Sequence, residues 1–191
     1  MALDFVHYRS REDTSRFDPR FWRFDPAARG HGVCINILCH WTDMARYVTR
    51  REPKRVHAVV RNLFSRGIVP EDNAHVTVEF EDDVVGTWRY VCGEPECGSA
   101  RMFTHFGSRG RLVATDAWRG DAELWIGAER RQLKAEADPA DPGARTLTHV
   151  EFLKAIRSGA PLPIAPEDGL AAVRVSEAVY ESAASGQVVT L

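Results

Sequence analysis

Apolar and polar positions change their spacing repeatedly along this chain, and each change marks a predicted element. Residues 3–8 alternate and are rich in aromatic and β-branched side chains, which predicts a first strand. Residues 9–29 are charged and aromatic without a stable period, and the stretch 21–26 reads as a loop that packs Trp22 against the body. From 33 to 48 the spacing becomes helical, entered through Gly30-His-Gly and stopped by Pro53. Strands follow at 55–63, 73–81 and 84–92. In the second, Ala74, Val76, Val78 and Phe80 share one face and His75, Thr77 and Glu79 the other. Asp82-Asp83 is a two-residue turn, so 73–81 and 84–92 form a hairpin. Residues 101–106 and 111–115 make a second hairpin about Gly107-Ser-Arg-Gly, and 122–126 with 130–135 a shorter pair.

The helical period then returns twice. Residues 146–158 place Leu147, Val150, Leu153 (or Phe152) and Ile156 on an inner side, and Gly159 closes the helix. Pro166 opens a last helix with Glu167 and Asp168 in its first turn; Leu170, Val173, Val175, Ala178 and Val179 are its residues to bury, and Gly186 ends it. Residues 187–191 are a final strand. Consecutive hairpins predict an α+β fold: one large, mostly antiparallel open sheet with helices on one face. The strands carry apolar or aromatic residues on both faces, so the other face is available for oligomerisation. No interior linker or repeat interrupts the chain, which reads as a single domain over 1–191.

The helix at 33–48 carries the candidate chemistry. Val33, Cys34, Ile37, Leu38, Trp41, Met44, Ala45 and Val48 cover most of its circumference, the mark of a buried helix. Asn36, His40 and Asp43 nevertheless line one narrow face, with Tyr47 a further turn along. A polar stripe on a buried helix is costly unless it meets partners or lines a wet cavity. Two readings stand side by side: a structural His–Asp pair that fixes the helix, or a site.

Composition narrows the partners. The chain is 44% hydrophobic and 27% charged with a net charge of −2, and acidic residues are interspersed among the arginines, so neither nucleic acid nor an anionic membrane is expected. Its apolar runs fall short of a membrane span. The first residues read as a strand rather than a signal peptide, and a cytoplasmic location with reduced thiols is expected. Cys34 and Cys39 point in different directions on the helix. Cys92 and Cys97 flank a short loop that a disulfide or half a zinc site would suit, but no second ligand pair follows, so no metal is expected.

Several stretches resemble one family. Phe152-Leu-Lys-Ala-Ile-Arg-Ser-Gly-Ala-Pro-Leu-Pro, Glu167-Asp-Gly-Leu and Tyr180-Glu-Ser-Ala-Ala-Ser-Gly-Gln-Val-Val-Thr-Leu resemble the C-terminal end of the glucose–fructose oxidoreductase, inositol dehydrogenase and rhizopine-catabolism (Gfo/Idh/MocA) family. Trp22-Arg, Asp25-Pro, Gly30-His-Gly-Val and His40-Trp-Thr-Asp43-Met-Ala-Arg are similar to that family's glycine-rich entry and Asp-x-x-x-His-x-x-Asp helix. Residues 72–87 and Phe106-Gly-Ser-Arg-Gly-Arg-Leu match in kind and order. The resemblance implies the substrate-binding and oligomerisation domain of an oxidoreductase acting on a sugar or polyol, assembled as a dimer or tetramer through its sheet. It covers only the C-terminal part of that architecture. No Gly-x-Gly-x-x-Gly follows a strand here, so NAD(P) is implied only through a Rossmann domain, fused or on a separate chain.

By the resemblance, His40 takes the place of the catalytic histidine that accepts the substrate's hydroxyl proton as hydride departs. Asn36 stands where the family usually has aspartate; it can orient an imidazole but cannot stabilise an imidazolium by charge. Asp43 matches the motif's last acid. Trp22 and Arg23 are candidate substrate contacts, as is Tyr47, which has no counterpart in the motif. Trp88, Arg89, Tyr90 and His105 form a secondary group on the strands. Hydride transfer needs the cofactor held over the substrate, so the chain alone is expected not to be redox-competent. Two alternatives follow. One is a stand-alone isomerase, lyase or cyclase using His40 as general acid/base; the other is a non-catalytic assembly module.

Overall fold

The computed structural model describes residues 1–10, 32–64, 71–94, 99–115, 121–134, 144–162 and 164–191. Strands β1 (Ala2–Ser10), β2 (Pro53–Arg61), β3 (Asn73–Phe80), β4 (Val85–Glu94), β5 (Ala100–Gly107), β6 (Gly110–Ala114), β7 (Ala122–Ile126), β8 (Glu129–Leu133) and β9 (Val189–Thr190) form one sheet. Its order is β8-β7-β6-β5-β1-β4-β3-β2-β9. Helix α1 (Val33–Thr49) follows β1, and α2 (Ala144–Ser158) and α3 (Pro166–Ser185) follow β8. The class is α+β, and every pairing is antiparallel except β1 with β4.

That exception has a topological cause. β1 and β2 run the same way, so a crossover must join them, and α1 is that crossover. The β3–β4 hairpin then returns into the gap, leaving β1 in the middle of the sheet between β4 and β5. Asp82 and Asp83 turn that hairpin with φ of 53° and 56°, the positive pair a type I′ turn requires. The β5–β6 turn needs Gly110, because a Cβ there would sit 2.1 Å from the carbonyl oxygen of Trp125.

One sheet face is buried beneath the helices. Val56 and Ala58, Val76 and Val78, Trp88 and Tyr90, and Leu3 and Phe5 form rows across β2, β3, β4 and β1. Each buried large side chain contributes about 1.5–3 kcal/mol. Helix α1 seats Cys34, Leu38, Trp41 and Ala45 on this layer, with Trp41 stacked on Phe5 at 5.6 Å between centroids. Helix α3 buries Ala172, Val175, Ala178 and Val179; its Ser182 hydroxyl accepts from the Ala58 amide (2.9 Å) and donates to the Gln187 carbonyl (2.7 Å). Leu170 and Val173, expected inside, are exposed, because the buried stripe runs through Ala172, Val175, Ser176, Val179 and Ser182 and both fall on the opposite side of the helix. The outer sheet face is mixed rather than apolar: His57, His75, Thr77, Thr87 and Arg89 are exposed beside Val59 and Val85, and Met102 and Phe106 beyond them.

Helix α2 departs most from expectation. The spacing predicts Val150, Leu153 (or Phe152) and Ile156 inward, yet all of these are exposed, and Ala155 is the buried residue among its described side chains. The stripe is real, but no described element covers it. Leu147 lies outside the described side chains.

Candidate active site along the first helix

Helix α1 is fixed at its start by a residue that periodicity does not reveal. The buried Glu71 carboxylate accepts from the Cys34 amide (2.8 Å) and from the Tyr180 hydroxyl of α3 (2.7 Å). It neutralises the helix N-terminus, where unsatisfied amides and the macrodipole favour an anion. Gly32 leaves room for it, since a Cβ there would fall 2.0 Å from Glu71 Oε2 and force the carboxylate to shift. Burial, reinforced by the charge at Glu71, pushes the Tyr180 hydroxyl well up, so it remains a donor. A carboxylate thus already fills the start of α1, where a pyrophosphate would have to bind. The residues present do not fit a dinucleotide there.

The other end is held by Arg46. Its guanidinium donates to both Glu52 carboxylate oxygens and to Asp168 Oδ1, each at 2.8 Å, tying α1 to the first turn of α3. Glu52 first, with Asp168, raises the Arg46 pKa despite partial burial. Arg46 in turn holds the Asp168 carboxyl below its usual range, helped by the Ala165 amide.

Between these anchors runs the polar stripe. It does not lie on a buried helix as predicted: α1 is one-sided, and the stripe faces outward. His40 is exposed, Tyr47 is 69% exposed, and Asn36 and Asp43 are half-buried. The structure divides the candidates between two hollows. His40 borders a pocket of about 20 Å³ with Phe5, His7, Trp41, Met44 and Arg101, room for roughly one water. Asp43 and Tyr47 line an open cleft of about 480 Å³ with Arg46, Arg50, Glu52, Ile164 and Asp168. Arg50 lies over the Tyr47 ring, 4.8 Å from its centroid. The cleft is large enough for a monosaccharide and rich in groups that bind hydroxyls. Cys39 is half-buried, and burial pushes its thiol up, which disfavours a nucleophilic role.

His7 and Arg101 are the additions that sequence reasoning missed. His7 is buried, edge-on to Tyr90 at 5.3 Å, and Arg101 Nε donates to His7 Nε2 at 3.4 Å. They meet because β1 pairs with β5, a partnership no local pattern encodes. The secondary group does not assemble. Trp88 and Tyr90 are core residues, and Arg89 lies on the outer face over Tyr8. His105 borders a separate cleft with Leu112, Leu124 and Ile126, where burial lowers its pKa. Trp22, Arg23 and Cys97 lie outside the described residues. Among the described residues, no cluster of three or more His, Cys, Asp or Glu could hold a metal ion. Nor is any described helix long and apolar enough to cross a membrane.

The architecture is thus a nine-stranded open sheet with a histidine-bearing helix across one face. The chain belongs to the GFO/IDH/MocA C-terminal domain family, whose model matches residues 3–113. It is 26% identical over 173 residues to D-xylose 1-dehydrogenase (NADP(+)) 2 from Haloferax volcanii, a match covering 88% of this chain and 50% of that protein. In fold it is similar to aldose-aldose oxidoreductase from Caulobacter crescentus complexed with glycerol (TM-score 0.82, 22% identity, 100% of this chain and 55% of that one). It is likewise similar to levoglucosan dehydrogenase in complex with NADH and levoglucosan (TM-score 0.80, 20% identity, 100% and 58%). The chain spans about half the length of the relatives it matches.

Proposed function

We propose that this chain is the substrate-binding and assembly part of an NAD(P)-dependent sugar or polyol oxidoreductase whose cofactor is held by a dinucleotide-binding domain beyond these 191 residues. The observation that carries it is the outward stripe of α1, which places His40 one turn from a monosaccharide-sized polar cleft. Nicotinamide, when bound by the other domain, supplies the hydride acceptor. The work of this chain is to bind the substrate's hydroxyls through Asp43 and Tyr47, with Trp22 and Arg23 as further contacts, and to take the hydroxyl proton onto the His40 imidazole. Asn36 orients that ring without adding charge. The outer sheet face joins copies into dimers or tetramers, and the protein works in the cytoplasm.

The test is a calorimetric panel of aldoses and polyols with the wild type and His40→Gln, run beside NADH and NADPH titrations and thermal melts. A sugar or polyol binds the wild type, and His40→Gln removes binding at least tenfold while the melt stays in place; neither nucleotide saturates at sub-millimolar concentration. Tight nucleotide binding by the chain alone overturns the reading. So does a large loss of stability in His40→Gln with ligand binding unchanged. Sedimentation as a clean monomer at tens of micromolar, about the weak end of specific association, removes the assembly role.

One observation favours a second reading. Asn36 in place of an aspartate lowers the support for an imidazolium, so His40 would instead act as general acid/base in a non-redox isomerisation or elimination. Sugar turnover by the chain with no nicotinamide present would select it.

A further inference from the structure

The two hollows along α1 differ in charge. In the cleft at its C-terminal half, Asp43, Glu52 and Asp168 outnumber Arg46 and Arg50, and Arg46 is committed to two of those carboxylates. The hollow at His40 is lined by no carboxylate among the described residues, and its charged wall is Arg101. Arg101 reaches it from β5, directly opposite His7 of β1 in the register. His7 is buried, edge-on to Tyr90 and tilted against Trp41 with 6.3 Å between centroids. Its Nε2 is therefore held in place, and the Arg101 Nε–H that donates to it (3.4 Å) sets where the exposed guanidinium lies. Of the five N–H donors of a guanidinium, this bond uses one.

Resting on the reading above, we infer that the substrate is a sugar acid, whose carboxylate is held by Arg101 while Asp43 and Tyr47 take hydroxyls at its other end. A guanidinium meets a carboxylate with two parallel N–H donors, and one positioned by a buried partner loses less freedom in doing so. The polarity along α1 matches a molecule that is anionic at one end and hydroxylated at the other. The acid-rich cleft repels the carboxylate, which decides which end lies where. His40 and Asp43 stand about one helical turn apart, roughly 5 Å along the axis, a spacing that one sugar ring spans. The hollow at His40 measures about 20 Å³, room for a carboxylate oxygen or a water but not for a phosphate tetrahedron, so the anion is a carboxylate. Arg101 binds and selects; the hydroxyl proton still goes to His40.

The experiment is a calorimetric titration of the protein as its own cells produce it, with NADH and NADPH present. The probes are matched sets of aldose, aldonate and uronate in the gluco, galacto and xylo series, together with the hexose 6-phosphates. In at least one series an acid should bind about tenfold or more tighter than its neutral aldose, the effect of one charge-assisted pair. Added salt should narrow that gap. Arg101→Gln should bind the acids no better than the aldoses, whereas Arg101→Lys, which keeps the charge without the fork, should retain part of the preference. A melt beside each titration shows whether a variant is folded, and the wild-type preference with its salt dependence decides the matter without either variant. Aldoses bound as tightly as their acids, hexose phosphates bound more tightly than either, or a preference that survives in Arg101→Gln overturns the inference and leaves the proposed function in place. If none of these sugars binds, the proposed function fails with it.

Discussion

Helices α1 and α2 present apolar residues at the same kind of helical spacing, yet the protein treats them oppositely. The stripe Cys34, Leu38, Trp41 and Ala45 is buried against the sheet, whereas Val150, Leu153 and Ile156 face outward. The difference teaches that periodicity reports a surface that needs a partner, and says nothing about whether the partner lies in the same chain. α1 has anchors at both ends, Glu71 at its start and Arg46 near its finish. Among the described side chains of α2, Ala155 is the buried one.

The contrast breaks most visibly at Trp41. Replacing it with Ala removes a ring packed on Phe5 and should cost about 3–5 kcal/mol in a urea melt; a loss under 1 kcal/mol would mean that α1 is as loosely seated as α2. Gly32→Ala tests the anchor at the start of α1. Its new methyl group must displace a buried carboxylate, for an expected loss of about 1–3 kcal/mol, and Tyr180 should become more accessible to hydroxyl-reactive probes.

A smaller effect is expected in acid. Because Arg46 holds the Asp168 carboxyl below its ordinary range, the stability it contributes is present above the unfolded carboxylate value, near pH 4. It is lost as pH falls through the lower folded value. Melting temperatures of the wild type and Arg46→Gln should therefore converge below about pH 4 and separate above it; parallel curves would show that the ion pair does not carry the dependence. Smallest of all should be Leu153→Ser, within about 0.5 kcal/mol of the wild type in this chain. A cost like that of Trp41→Ala would show that α2 already packs against part of the same chain.

Much of the fold was legible because its signals are local. The alternation of 73–80, the Asp82-Asp83 turn and the capping of the last helix each sit within a few residues, and the strands and helices lie where they predict. The stripe of Asn36, His40, Asp43 and Tyr47 was legible for the same reason, although its exposure was not. What spacing could not supply were pairings between distant segments: His7 with Arg101, Glu71 with Cys34 and Tyr180, Arg46 with Asp168. Each is a polar residue that looks like ordinary surface until topology gives it a neighbour. Gly32 was the faint signal of one of them, as a glycine opening a helix where Ser, Thr, Asn or Asp is the usual cap.

The central place of β1 has a consequence for how the chain folds. Leu3 pairs with Gly86 on one side and His105 on the other, so β1 finds both neighbours only after β4 and β5 have formed. The segments β2–β4 and β5–β8 can each assemble as a local meander, but until β1 enters between them, β4 and β5 present open edges to other chains. Refolding should accordingly show early protection within the two meanders and late protection at β1, measured by pulsed hydrogen exchange. Losses to aggregation during refolding should rise steeply with concentration, because a neighbouring molecule's strand can take the slot that β1 fills.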